Sequence, residues 1–135
     1  MAARARQLQA GSDLYFDRHD GQAVTTEDFV KAMEDASGID LGQFRNWYYQ
    51  AGTPVVSVQS EFDSQNKRYT LRVSQSCPDT PGQTNKKALT IPLRLGLLGS
   101  DGQDLPLSLV GEDASENATD RVLCLTEEKQ QVVFE

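Results

Sequence analysis

The chain has 135 residues, 38% apolar and 24% charged, and its 13 basic against 20 acidic residues leave a net charge of −7. A chain this long can bury a core, at about two-thirds of its unfolded surface. The negative balance excludes the broad cationic face that sequence-independent nucleic-acid binding requires and disfavours an anionic membrane surface. No apolar run approaches the roughly 20 residues that cross a bilayer. Met1-Ala2-Ala3-Arg4-Ala5-Arg6 is followed by no apolar stretch of the kind a secretory signal carries, so a cytoplasmic location is expected. The chain holds one histidine, His19, and chemistry that needs two imidazoles from this chain is ruled out by arithmetic.

Up to about Gly52 the apolar residues recur with a helical period. A first helix is expected over about Arg4 to Arg18, interrupted at Gly11 and Ser12 and closed by the turn at Asp20-Gly21. Thr25 is positioned to cap a second helix, with Glu27 and Asp28 in its first turn facing the positive end of the dipole. Phe29, Val30, Met33 and Ala36 form its apolar stripe, and Gly38 is the left-handed residue that ends it. Asp40 opens a third helix in this reading, with Gln43 completing a capping box and Leu41, Phe44, Trp47 and Tyr48 on one face. Gly52 ends that helix and Pro54 prevents it from resuming. Some 50 residues of helix cannot build a self-sufficient core, so these stripes need another surface to cover them.

After Pro54 the period changes to two. Val56, Val58 and Phe62 lead through a polar tip at Asp63–Lys67 into Tyr69, Leu71 and Val73, a hairpin with one wet face. Cys77 to Lys87 is loop. Leu89, Ile91, Leu93 and Leu95 form the clearest strand, turned by Ser100-Asp101-Gly102 into a return through Leu105, Leu107 and Leu109. Gly111 to Asp120 is an acidic loop, and Val122–Leu125 with Val132–Phe134 completes a last hairpin around Glu127-Glu128-Lys129. Six short strands with hairpin turns describe an antiparallel sandwich, and the fold class is α+β. Because Gln131-Val132-Val133-Phe134-Glu135 stops inside a strand pattern, the sandwich is expected to be incomplete at this C-terminal edge. The Val132–Phe134 edge would then be open to pairing with another chain.

Candidate chemistry is sparse. Cys77 and Cys124 follow no metal-binding or redox spacing and read as free thiols, Cys124 as a buried small hydrophobe. Asp17-Arg18-His19-Asp20 sets an imidazole among carboxylates, but no nucleophile accompanies it, and Arg18 and His19 suit the negative end of a helix. Glu112-Asp113 with Glu116 lacks the alternating spacing of a calcium loop, and no glycine motif for a phosphate is present. The sequon Asn117-Ala118-Thr119 bears on a secreted protein only. Trp47-Tyr48-Tyr49 could stack on a ring, yet at helical spacing Trp47 and Tyr48 read as packed side chains with hydrogen-bonded polar tips at a domain seam.

Three ordered runs carry a resemblance: Leu14-Tyr15-Phe16-Asp17-Arg18-His19-Asp20-Gly21, Asp28-Phe29-Val30-Lys31-Ala32-Met33-Glu34-Asp35-Ala36, and Phe44-Arg45-Asn46-Trp47-Tyr48-Tyr49-Gln50-Ala51-Gly52-Thr53-Pro54. They resemble the bacterial-type aminopeptidase N (alanyl aminopeptidase) family of zinc metallopeptidases. The resemblance continues more loosely through Tyr69–Gln75 and the Ser76–Gln83 loop into Ile91-Pro92, and residues 1–8 do not follow it. It implies that, within a helical segment 1–52, residues 9–52 match the last helices of a thermolysin-like catalytic domain, and residues 53–135 a small Ig-like β-sandwich. The zinc motif H-E-x-x-H, the third zinc ligand and the catalytic tyrosine of such an enzyme would lie before residue 1, so no catalytic or metal-binding residue carries over. The cofactor expected for the chain is none, and zinc belongs to the parent alone. The implied role is a non-catalytic brace between the catalytic and C-terminal domains. Trp47, Tyr48, Thr53 and Pro54 would form the inter-domain seam, and the partners would be the parent's remaining domains or a second copy at the Val132–Phe134 edge. The alternative is a free-standing sandwich that binds without catalysing.

Overall fold

The computed structural model describes residues 2–112 and 118–135, with side chains from residue 6 onward. Asp113 and Glu116, weighed above for calcium, and Asn117 of the sequon lie outside the described residues. The chain divides into two compact units, Met1–Arg45 and Asn46–Glu135.

In the first unit α1 (Ala2–His19) runs without a break through Gly11 and Ser12. Gly11 is buried, and a Cβ there would stand 2.3 Å from Met33 Sδ. The glycine is thus a close-approach residue that lets α1 meet α2 (Thr26–Ser37), not the interruption expected from its helix propensity. Tyr15 meets Phe29 edge to face at 5.3 Å between centroids. The second helix is capped as expected. Asp28 N–H donates to Thr25 Oγ1 while Thr25 N–H donates to Asp28 Oδ2 at 2.8 Å, and Gly38 closes the helix at φ 68°. Val30 and Ala32 are its buried positions.

The third helix is shorter than expected: α3 spans Asn46–Tyr49, and residues 42–45 form turns. Asp40 does not open a regular helix. Its Oδ1 accepts from Gly42 N–H at 2.7 Å, a local turn that competes with helix initiation. Leu41 N–H is taken by Glu34 Oε1 at 2.8 Å, which holds this segment to α2. The compact units divide after Arg45, because α3 bonds within the strand-bearing unit.

The second unit is an antiparallel sandwich of two three-stranded sheets. β1 (Val55–Asp63), β2 (Arg68–Ser76) and β6 (Lys129–Phe134) form one sheet in the order β1-β2-β6; β3 (Ile91–Leu98), β4 (Asp104–Leu105) and β5 (Asp120–Leu125) form the other in the order β4-β3-β5. β1 and β2 pair without a bulge from Val55↔Ser76 to Asp63↔Arg68. The tip is fixed by Asp63, whose Oδ1 accepts from the N–H groups of Gln65 and Asn66. Leu71, Val73, Leu107, Leu125 and Phe134 make the core between the sheets.

Three strand expectations change. β5 and β6 are joined by a short turn but do not pair with each other: β5 pairs with β3 and β6 with β2, so the last connection crosses between sheets. The return after Gly102 is cut to two residues, because Pro106 cannot donate to a ladder. The segment beyond it runs beside β6, where Val110 N–H donates to Val133 O and Glu135 N–H to Ser108 O, both at 3.0 Å. The Val132–Phe134 edge expected to be unpaired is therefore occupied, and Phe134 is only 3% exposed. Cys124 is exposed rather than buried, since the alternation turns Leu123 and Leu125 inward.

Candidate functional site

The seam residues named from the sequence separate into two groups. Trp47 stands on α3 and its indole Nε1–H donates to Thr90 O at 2.8 Å, with the ring 39% exposed. The rest of α3 and the residues after it are joined to the 80–90 loop in the same way. Asn46 Nδ2 donates to Ala88 O, Gln50 exchanges two bonds with the backbone of Lys87, and Gln83 accepts from Ala51 N–H and donates to Tyr49 O. Lys86 Nζ adds bonds to Ala51 O at 2.6 Å and Thr80 Oγ1 at 2.8 Å. A four-residue helix has little stability of its own, so these side-chain to backbone bonds are what hold it. Tyr48 is exposed, as is Thr53, while Pro54 is half-buried at the entry to β1.

Sequence reasoning missed two buried or half-buried polar centres. In the first unit, Arg45 grips Glu34 with two parallel bonds of 2.8 Å and reaches Glu27 Oε1 through Nε at 2.6 Å. This fork, together with the Leu41 N–H bond, holds the Glu34 carboxyl down to about 2, and the same carboxylates raise Arg45 further. In the second unit, Gln75 is 7% exposed, the one buried polar residue described. Its Nε2 donates to Leu89 O at 2.8 Å and Glu127 O at 3.1 Å, and its Oε1 accepts from Leu89 N–H at 2.9 Å. Strand alternation carries a signal for it, because Tyr69, Leu71, Val73 and Gln75 share the inward face. Each centre ties segments of its own unit together, Glu34 and Arg45 joining α2 to the residues before α3 and Gln75 joining β2 to Leu89 and Glu127.

His19 lies 5.5 Å from the Tyr15 ring and acquires no nucleophile. Among the described residues no three His, Cys, Asp or Glu side chains group to hold a metal, and both cysteines are free. With His19 as the one histidine, the two-histidine H-E-x-x-H motif does not occur in these 135 residues. An open cleft of about 820 Å³ lies at one end of the sandwich, walled in part by Phe62, Tyr69, Leu98, Leu105 and Phe134. Its lining is mostly apolar, with Lys67, Ser100 and Glu135 also on it. Among the described residues no helix is long and apolar enough to cross a membrane.

The architecture is that of an α+β protein whose strand-bearing unit is an Ig-like sandwich. The family model described as "Domain of unknown function (DUF3458) Ig-like fold" matches residues 52–135, and the chain belongs to that family. The chain is 44% identical to aminopeptidase N of Escherichia coli (strain K12) over 128 residues, and 44% identical over the same length to aminopeptidase N of Haemophilus influenzae. With aminopeptidase N of Caulobacter vibrioides it shares 48% identity over 98 residues. These matches bear out the resemblance read from the three ordered runs. The first two cover 95% of this chain but 14% of each relative's length, so the chain spans about one-seventh of the relatives it matches. A crystal structure of Legionella pneumophila aminopeptidase A in complex with aspartic acid superposes with a TM-score of 0.70 at 29% identity, over 93% of this chain and 12% of that one.

Proposed function

We propose that residues 1–135 are a non-catalytic structural piece of an aminopeptidase N-like zinc metallopeptidase, an enzyme that removes N-terminal amino acids from peptides. In this reading the chain braces the catalytic domain against the C-terminal domain, and Trp47, Tyr48, Thr53 and Pro54 form the seam between them. One observation carries it: near-complete coverage of this chain by aminopeptidase N over one-seventh of that enzyme's length. The single histidine is in keeping with it, because H-E-x-x-H needs two. The bonds between α3 and the 80–90 loop also support a mechanical role, since they stiffen the start of the sandwich without forming a pocket. Zinc and the acid–base groups of the parent reaction would come from residues outside this chain.

The test is an alanyl-p-nitroanilide assay on the purified chain with added zinc. No turnover is expected, and chelator-sensitive turnover at stoichiometric enzyme would overturn the proposal.

A further inference from the structure

We infer that the outer edge of β1 is a self-association surface, on which a second copy of this chain pairs β1 against β1 in antiparallel register centred on Gln59. The four outward strand edges of the sandwich differ in how they are protected. β6 is flanked by residues 108–110. The β3 side carries Pro92 and the two-residue β4. β5 is six residues long, begins with the charged pair Asp120 and Arg121, and gives its Cys124 carbonyl to Gln130 Nε2. β1 is nine residues with no proline, no lysine or arginine and no bulge; its charges are Glu61 and Asp63 near one end, and no strand pairs with its outer side among the described residues. An edge of that length, about 30 Å, presents a full row of backbone donors and acceptors.

Its side chains fit a copy of themselves. Val58 and Phe62 face the same side as Val73 and Tyr69, yet are 52% and 62% exposed. Antiparallel pairing about Gln59 sets Val56 opposite Phe62 of the second copy and Val58 opposite Ser60, joining the apolar rows on one face. On the other face Glu61 meets Ser57 and Asp63 meets Val55, so no like charges stand opposite each other. One strand pair buries less than the roughly 1,200–2,000 Å² of a stable interface, and the dimer is therefore reversible and concentration-dependent.

The experiment is sedimentation equilibrium of the 135-residue chain across about a hundred-fold range of concentration, in salt sufficient to screen the net charge of −7 on each copy. A monomer–dimer equilibrium is expected. Gln59→Lys sets like charges face to face at the two-fold axis and weakens it about five-fold or more, whereas an equimolar mixture of Gln59→Lys and Gln59→Glu restores association. Gln59 is exposed, and circular dichroism of each variant checks that it folds. A chain monomeric throughout, a dimer indifferent to Gln59→Lys, or a mixture that associates no better than either variant alone would each overturn the inference. None of these outcomes depends on whether the parent is a peptidase.

Discussion

Replacing Gln75 by leucine conserves volume and increases apolarity, so a reading based on hydrophobic patterning alone expects it to stabilise the sandwich. The bonding argues the reverse. The substitution removes three hydrogen bonds and strands the N–H and carbonyl of Leu89, a residue only 3% exposed. Each orphaned buried group costs about 1–3 kcal/mol, and the added apolar surface returns about 1 kcal/mol. The net loss is about 1–5 kcal/mol, against about 5–15 kcal/mol for a whole domain. For a unit this size, at about 4–8 °C per kcal/mol, that corresponds to a fall in Tm on the order of 4–40 °C. Urea unfolding followed by circular dichroism and by the fluorescence of Trp47, the only tryptophan, measures it. Gln75→Glu supplies the control with a sign. It keeps an acceptor for Leu89 N–H but aims its second carboxylate oxygen at the carbonyls of Leu89 and Glu127, which raises its folded pKa above the unfolded value. Its contribution to stability is then fully present below the unfolded pKa and is lost as pH rises through the folded one, so this variant recovers in acid. A Gln75→Leu protein within about 0.5 kcal/mol of the parent chain would show that the carboxamide is not what joins the 89 loop to the β5–β6 turn.

The first unit yields three further expectations. Glu34 titrates at about 2 when folded against 4.5 ordinarily, so its stabilisation is present above the unfolded pKa and is lost as pH falls from 4.5 toward about 2; Glu34→Gln should flatten helix loss over that window in a pH titration by far-UV circular dichroism. Thr25→Ala removes one half of the capping box and should cost about 1 kcal/mol in a thermal melt. Gly11→Ala gains about 1 kcal/mol of helix propensity, but its Cβ meets Met33 Sδ at 2.3 Å and Met33 Cα at 3.3 Å. Net destabilisation is expected, and a raised melting temperature would show that Met33 moves aside freely.

What could be read from the sequence was whatever is decided locally. The Thr25 and Gly38 caps, the Asp63–Lys67 tip and the change of period at Pro54 each depend on a few neighbouring residues, and each appears where it was expected. The failures involve distant partners. Gly11 looks like a helix breaker until Met33 is set against it, and Asp40 looks like an N-cap until Glu34 claims the Leu41 N–H. Val122–Leu125 and Val132–Phe134 have the spacing of a hairpin, and periodicity alone cannot say that the two strands enter different sheets. The same limit explains the β6 edge, whose cover at 108–110 comes from a segment that Pro106 had released from β3. Of the seam residues, the aromatic run at Trp47 was visible in the text, whereas its carbonyl partner on Thr90 carries no side-chain signature.

Burial falls off across the sandwich from β2, where Leu71 and Val73 are enclosed, to β1, where Phe62 is not. Stability and association can therefore be separated by mutation. Leu71→Ala should cost about 2–5 kcal/mol and act on the fold. Phe62 is 62% exposed and its ring meets Tyr69 at 6.5 Å between centroids, so Phe62→Ser should cost the monomer no more than about 1 kcal/mol. In a β1–β1 dimer the same change removes the Phe62–Val56 contact twice, because the two-fold axis repeats it. At about 0.5–1 kcal/mol per cross-strand pair, association weakens roughly 5- to 30-fold. Sedimentation and melting of the one variant decide the matter together: a dimer lost with the melt nearly unchanged assigns Phe62 to the interface. A melt that collapses while the residual folded protein still dimerises assigns Phe62 to the core and removes β1 from the interface.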